Sequence, residues 1–179
     1  HYDATTGQMG PTNGTLNISS DINSKGDELN LEGTYDPTSS MYGLDIQGDY
    51  LYVSDISVPS FRVLNIRDKT APSLLSTTTL SAACKNVNVQ GRYVYMPVQT
   101  SGVINVLDVI NPSSPTIIDT FAVPSSSGEC HASYISCNCL FVGYGSKLHI
   151  IDIKDPENLT QISELALSGD NRGISGKGN

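Results

Sequence analysis

Three stretches of this chain repeat one phrase, and a phrase repeated at fixed spacing restricts the architecture more than any composition can. "SFRVLNIRDKTAP" (Ser60 to Pro72), "GVINVLDVINPSSP" (Gly102 to Pro115) and "KLHIIDIKDPENL" (Lys147 to Leu159) each carry an apolar strand, an Asp or Asn, and a proline-marked turn. Val63, Val106 and Ile150 hold matching places, at steps of 43 and 44 residues. A second phrase keeps the same time ahead of the first: "LDIQGDYLYVSD" (Leu44 to Asp55), "VNVQGRYVYMPV" (Val87 to Val98) and "SYISCNCLFVGY" (Ser133 to Tyr144). Each reads as strand, two-residue turn, strand.

Every unit therefore predicts four antiparallel strands. The inner ones are Leu44–Ile46, Val87–Val89 and Tyr134–Ile135, and the second ones are Tyr50–Val53, Tyr93–Met96 and Cys139–Val142. The third is the apolar phrase, and the fourth, more polar, is Ser73–Thr79, Thr116–Ala122 or Gln161–Leu167. Four strands in roughly 43 residues is the size of a β-propeller blade. Both faces of the third strand are mainly apolar, with Phe61, Val63 and Ile104, Val106 on one side and Leu64, Ile66 and Leu107, Val109 on the other. A half-solvated strand does not carry that pattern; a strand sandwiched between two neighbouring sheets requires it.

The expected fold is all-β, a propeller-like array of about three four-stranded antiparallel blades (42–81, 82–124 and 125–169). An N-terminal arm and outer strand (1–36) precede them, the stretch Glu28–Tyr35 falling where a fourth strand would come before the first full unit. A flexible Gly-rich tail (170–179) follows, expected to be disordered or to dock on a neighbour. Closed propellers have four to eight blades, so the ring is incomplete within this chain. Further blades of the same precursor, a degenerate blade made by residues 1–36, or self-association would cover the open faces.

The stretches "GRYVY…GVINVLDVINPSSP" and "KLHIIDIKDPENL" resemble the LVIVD repeat, a β-propeller module of bacterial and archaeal surface or secreted proteins. The likeness runs from about Tyr42 to Gly169. It implies a propeller and an extracellular or cell-surface setting, and no particular activity. Two departures stand out: "CNC" replaces the glycine turn of the third unit, and Asn65 stands where the other units have Asp.

Composition narrows the partners. A formal net charge of −8 offers no basic stripe to track a phosphate backbone, which excludes nucleic acid. No apolar run approaches the roughly 20 residues needed to cross a bilayer, so no transmembrane segment is expected. The start at His1 fits a mature secreted product or a piece of a longer chain. Three sequons, at Asn13, Asn17 and Asn158, match the N-glycosylation pattern of exposed loops.

Repeat register weighs each polar candidate. Asn65, Asp108 and Asp152 end the same strand before a turn, where a short side chain accepts a backbone N–H; a catalytic carboxylate would not recur in every unit. His149 aligns with Arg62 and Asn105 and is expected to be exposed. His131 falls level with Lys85 and Tyr42 near the mouth of the channel, where a ligand or metal could sit. Asp21, Asn23, Asp27 and Glu32 fit a calcium-loop template, although Lys25 intrudes on a ligand position and no helix flanks the loop. Calcium is the one cofactor this suggests. Of the four cysteines, Cys84 and Cys130 begin neighbouring inner strands and are expected to form an inter-blade disulfide, while Cys137 and Cys139 sit at a turn and could bridge to another chain; reduced thiols are the alternative. Nucleophile motifs and phosphate loops are missing. The expectation is a non-enzymatic extracellular module for structural assembly or recognition, associating with itself through blade faces and the N-terminal arm; the alternative is a ligand- or metal-binding propeller with its site at Tyr42, Lys85 and His131.

Overall fold

The computed structural model describes residues 31–176 in full, together with the backbone of three short strands ahead of them: β1 (Tyr2–Asp3), β2 (Gln8–Met9) and β3 (Leu16–Ile18). These pair as β1 with β2 and β3 with β4 (Gly33–Tyr35), all antiparallel. Three four-stranded antiparallel sheets follow, none closed, and the described residues contain no helix. The first sheet is β5 (Met41–Gln47), β6 (Tyr50–Asp55), β7 (Ser60–Asn65) and β8 (Ser73–Thr79). The second is β9 (Asn88–Gln90), β10 (Tyr93–Pro97), β11 (Val103–Asp108) and β12 (Thr116–Ala122). The third is β13 (Cys130–Ser136), β14 (Cys139–Tyr144), β15 (Lys147–Asp152) and β16 (Thr160–Ala166).

The register repeats as closely as the sequence does. A bulge interrupts the third-to-fourth strand pairing between Val63 and Leu64, between Val106 and Leu107, and between Ile150 and Ile151. The Asx turn expected after the third strand is made in every unit: Asn65, Asp108 and Asp152 accept the N–H groups of Arg67, Ile110 and Lys154 at 2.8 to 2.9 Å. A second such turn follows, with Asp68, Asn111 and Asp155 accepting from Thr70, Ser113 and Glu157. Turn chemistry is thus the local reason each sheet ends where it does. In the third unit Cys137 and Asn138 both take positive φ, 50° and 60°, where the first two units place Gly48 and Gly91. The "CNC" departure is a tight turn made without glycine.

Burial sits between the sheets. Tyr52, Phe61 and Val63 of the first pack on Val94, Met96, Leu107 and Val109 of the second. Ile104 and Val106 of the second pack on Leu140, Val142, Tyr144 and Ile151 of the third. Each such side chain contributes about 1.5–3 kcal/mol by leaving water. This packing explains one residue and one segment whose surroundings the repeat pattern alone misplaces. His149 is fully buried, because its strand face is pressed against the second sheet; its ring stands edge-on to Tyr144 and bonds Gln161 through Nδ1 at 3.1 Å. The tail through Gly176 is not loose: it lies against the third sheet, Asn171 N–H donating to Gly145 at 2.9 Å and Tyr134 donating its hydroxyl hydrogen to the Gly176 carbonyl at 3.1 Å.

Candidate functional site

Along the inner strands β5, β9 and β13 the sheets leave a concave surface of about 750 Å³. Tyr42, Lys85 and His131 line it together, as their common register requires. The Lys85 ammonium lies 5.7 Å from the centre of the Tyr42 ring and 3.2 Å from a Glu129 carboxylate oxygen. That same oxygen accepts from Gln99 at 3.1 Å and stands 3.6 Å from His131 Nε2. The Gln99 and Lys85 contacts hold the Glu129 carboxyl below its ordinary value.

Repeat register singles out neither Glu129 nor Gln99, since Glu129 follows a Ser-rich loop and looks solvated. Its signal is a break of the repeat: the other units have Ser40 and Ala83 at that place. The break inserts an acid between a lysine and a histidine. Cation and anion therefore satisfy each other at the mouth, and the exposed chemistry left is apolar: Tyr42, Leu44 and Ile46 on β5 are 59%, 51% and 51% exposed.

Inner strands are also laced to one another by side chains. Asp45 accepts the Val89 N–H at 2.8 Å, Asn88 donates to the Ser133 hydroxyl at 2.6 Å, and the Gln47 amide both accepts from Gly91 N–H and donates to its carbonyl. Gly43 has room for no side chain, because a Cβ there would meet the Asn86 Cα at 2.8 Å.

Deep in the first sheet Asp55, fully buried, receives Arg62 at 2.7 Å and the Ser57 N–H at 3.0 Å. The equivalent pairs in the next units are Val98 with Asn105 and Tyr144 with His149.

The remaining candidates fall apart as a site. Asp21, Asn23 and Asp27 lie outside the described residues, and Glu32 is half-buried just before β4. Among the described residues no three His, Cys, Asp or Glu side chains gather into a metal-binding group. Asn13 lies outside the described residues, Asn17 is on β3, and Asn158 is exposed with its amide donating to Asp155 at 2.9 Å. All four cysteines are free thiols, which corrects the expected Cys84–Cys130 disulfide. The reason is that the two thiols sit in different layers: Cys84 in the one between the first and second sheets, near the Met96 carbonyl, and Cys130 in the one between the second and third, near that of Ala132. Burial pushes both up to about 12, whereas Cys137 is exposed and Cys139 half-buried. An aromatic disulfide reagent at neutral pH is accordingly expected to titrate Cys137 fast and Cys139 more slowly, and to reach the other two only on unfolding. Four thiols titrating at once in native protein would contradict the layered burial.

Sheets stacked face to face around a common mouth, each repeating one register, define a propeller-type repeat protein. The LVIVD repeat model matches residues 42–79 and 83–123, so the chain carries two LVIVD repeats. A comparison with curated proteins finds no match. Solved structures share the fold: a protein from Lactobacillus plantarum at 21% identity and TM-score 0.73, covering 88% of this chain and 53% of its own. A functionally unknown protein from Desulfotomaculum acetoxidans follows at 12% identity and TM-score 0.69, covering 88% of this chain and 55% of its own. Myxococcus xanthus glutaminyl cyclase matches at 15% identity and TM-score 0.54, covering 72% of this chain and 51% of its own. The chain spans about half the length of these structures. Likeness at such identities shows the fold alone, and the fold hosts unrelated activities.

Proposed function

We propose that the chain is an extracellular structural or recognition module that acts through its surfaces. The observation carrying this reading is the row Tyr42, Leu44 and Ile46: three large side chains more than half exposed on one strand, beside a mouth whose charges pair with one another. Contiguous exposed apolar surface rimmed by polar groups marks an interaction site. The polar residues that recur from unit to unit, Asn65, Asp108 and Asp152, are spent on turns and leave no reaction centre in the repeat. An exposed Asn158 offers a glycan acceptor on the outer rim.

Antibody labelling of intact source cells tests the setting, and signal before permeabilisation is expected. Signal only after permeabilisation would overturn it. Binding of the purified chain to the cell-surface fraction tests the row: Tyr42→Ser is expected to weaken it about tenfold or more, as loss of an exposed aromatic anchor does.

A further inference from the structure

The third unit ends the stack, its trailing face covered by no further sheet among the described residues, and it alone rewrites the hairpin turn at the mouth. In the first two units that turn has Gly48 and Gly91 at its first corner and opens the next strand with Tyr50 and Tyr93. The third unit has Cys137 and Cys139 at those same two places. Pairing fixes the match: Gln47 lies opposite Tyr50, Gln90 opposite Tyr93 and Ser136 opposite Cys139. Neither a turn nor a strand start needs a thiol, so the pair requires another reason.

Local geometry brings the two sulfurs within bonding range. In an extended strand, Cα atoms two residues apart stand about 6.6–6.8 Å from each other, at the outer limit for a disulfide. Asn138 between the cysteines has φ 60°, the left-handed helical region. That conformation mirrors the right-handed helix, whose rise and radius put such Cα atoms about 5.4 Å apart, well inside the span of a disulfide. The turn is held in place from two sides: the Asn138 carbonyl accepts the Ile153 N–H at 2.9 Å, and its side chain accepts from Gln90 Nε2 at 3.0 Å. Opposite residues of a strand pair project from one face, so Ser136 and Cys139 share theirs. The Ser136 hydroxyl donates to the Cys137 sulfur at 3.7 Å, which draws that thiol towards the same face.

Access then divides the four thiols. Cys84 and Cys130 are fully buried and pushed up to about 12, so they hold almost none of the nucleophilic thiolate. Cys137 is exposed at the edge of the mouth, and a Cβ added at its counterparts Gly48 or Gly91 meets nothing within 4 Å. Cys139 is half-buried. An open thiol beside a less open one is the arrangement of an attacking and a resolving cysteine.

We propose that Cys137 and Cys139 form a thiol–disulfide exchange site that takes low-molecular-weight disulfides as substrate. Cys137, as thiolate, attacks one sulfur of the disulfide, forming a mixed disulfide and releasing a thiolate that takes up the proton Cys137 gave up. Cys139, as thiolate, attacks the Cys137 sulfur, closes the Cys137–Cys139 bond and releases the second thiolate, which is protonated in turn. Two protein thiols are oxidised and one disulfide is reduced to two thiols, so no further oxidant is needed. Excess thiol drives the same steps backwards, as it does for exposed disulfides in general. This goes beyond the surface-module reading and does not depend on it.

The test incubates the reduced full chain with excess oxidised glutathione, alkylates the remaining thiols under denaturing conditions and maps the peptides by mass. Cys137 and Cys139 are expected joined within one peptide, with no glutathione retained and with Cys84 and Cys130 both alkylated. Cys139→Ser is expected to stop at the first step and keep glutathione on Cys137, its far-ultraviolet dichroism unchanged. A wild-type chain that keeps glutathione on Cys137, links to a second chain through either residue, or leaves both thiols open to alkylation overturns the proposal. Labelling of intact cells reads none of these outcomes, so the two readings fail separately.

Discussion

Replacing Arg62 by alanine destabilises the folded chain by about 3–5 kcal/mol in urea unfolding, a large share of the roughly 5–15 kcal/mol that holds a typical domain together. The cost comes from what stays behind. Asp55 is fully buried and Arg62 is its charge partner at 2.7 Å; without the guanidinium the carboxylate keeps the Ser57 and Val58 N–H groups and nothing cationic. The chain itself shows the repair, because the second unit fills the same two positions with Val98 and Asn105. The double change Asp55→Val with Arg62→Asn is expected to recover much of the loss, since removing both charges spares the penalty of stranding one. A cost for Arg62→Ala near that of an exposed ion pair, below about 1 kcal/mol, would mean that water reaches Asp55.

The second large effect is Phe61→Ala, expected to cost about 3–5 kcal/mol and to lower the melting temperature by on the order of 10 °C. Phe61 is fully buried between the first and second sheets, stacked on Tyr52 with ring centres 6.0 Å apart. Truncation opens a cavity that two rigid sheets cannot collapse around. Its repeat partners make the control: Ile104→Ala, equally buried in the next layer, is expected to cost about 2–5 kcal/mol. Leu148→Ala, half-buried on the trailing face, costs well under either in the isolated chain. Equal losses at all three positions would show that the third sheet is as fully covered as the other two.

The sheets were legible because their signals are local and redundant. A strand with two apolar faces, a two-residue turn and an Asx turn recur three times, so an error in one unit is corrected by the others, and β6, β7, β8, β10, β11 and β12 fall where the repeat puts them. Tyr42, Lys85 and His131 could be brought to one mouth by counting residues from matched strands. Glu129 could not, because Lys85 and Gln99, which hold it, come from the preceding unit and its own neighbourhood reads as loop. His149 misled for a related reason: polarity at a strand position suggests solvent, yet Arg62, Asn105 and His149 all point into inter-sheet layers and find partners there. The cysteines misled through distance along the repeat, since equivalent places in neighbouring units face different layers.

Sequence alone determined the unit, its period and the need for company on both faces, since strand alternation and turn chemistry are set by residues a few positions apart. Only the tertiary structure decided which company is present. Whether Ile150 is covered as Val63 is, whether the tail wanders or docks on the third sheet, and which acid meets Lys85 all depend on surfaces brought together from separate parts of the chain, and such contacts leave no mark on the spacing of residues along a single strand.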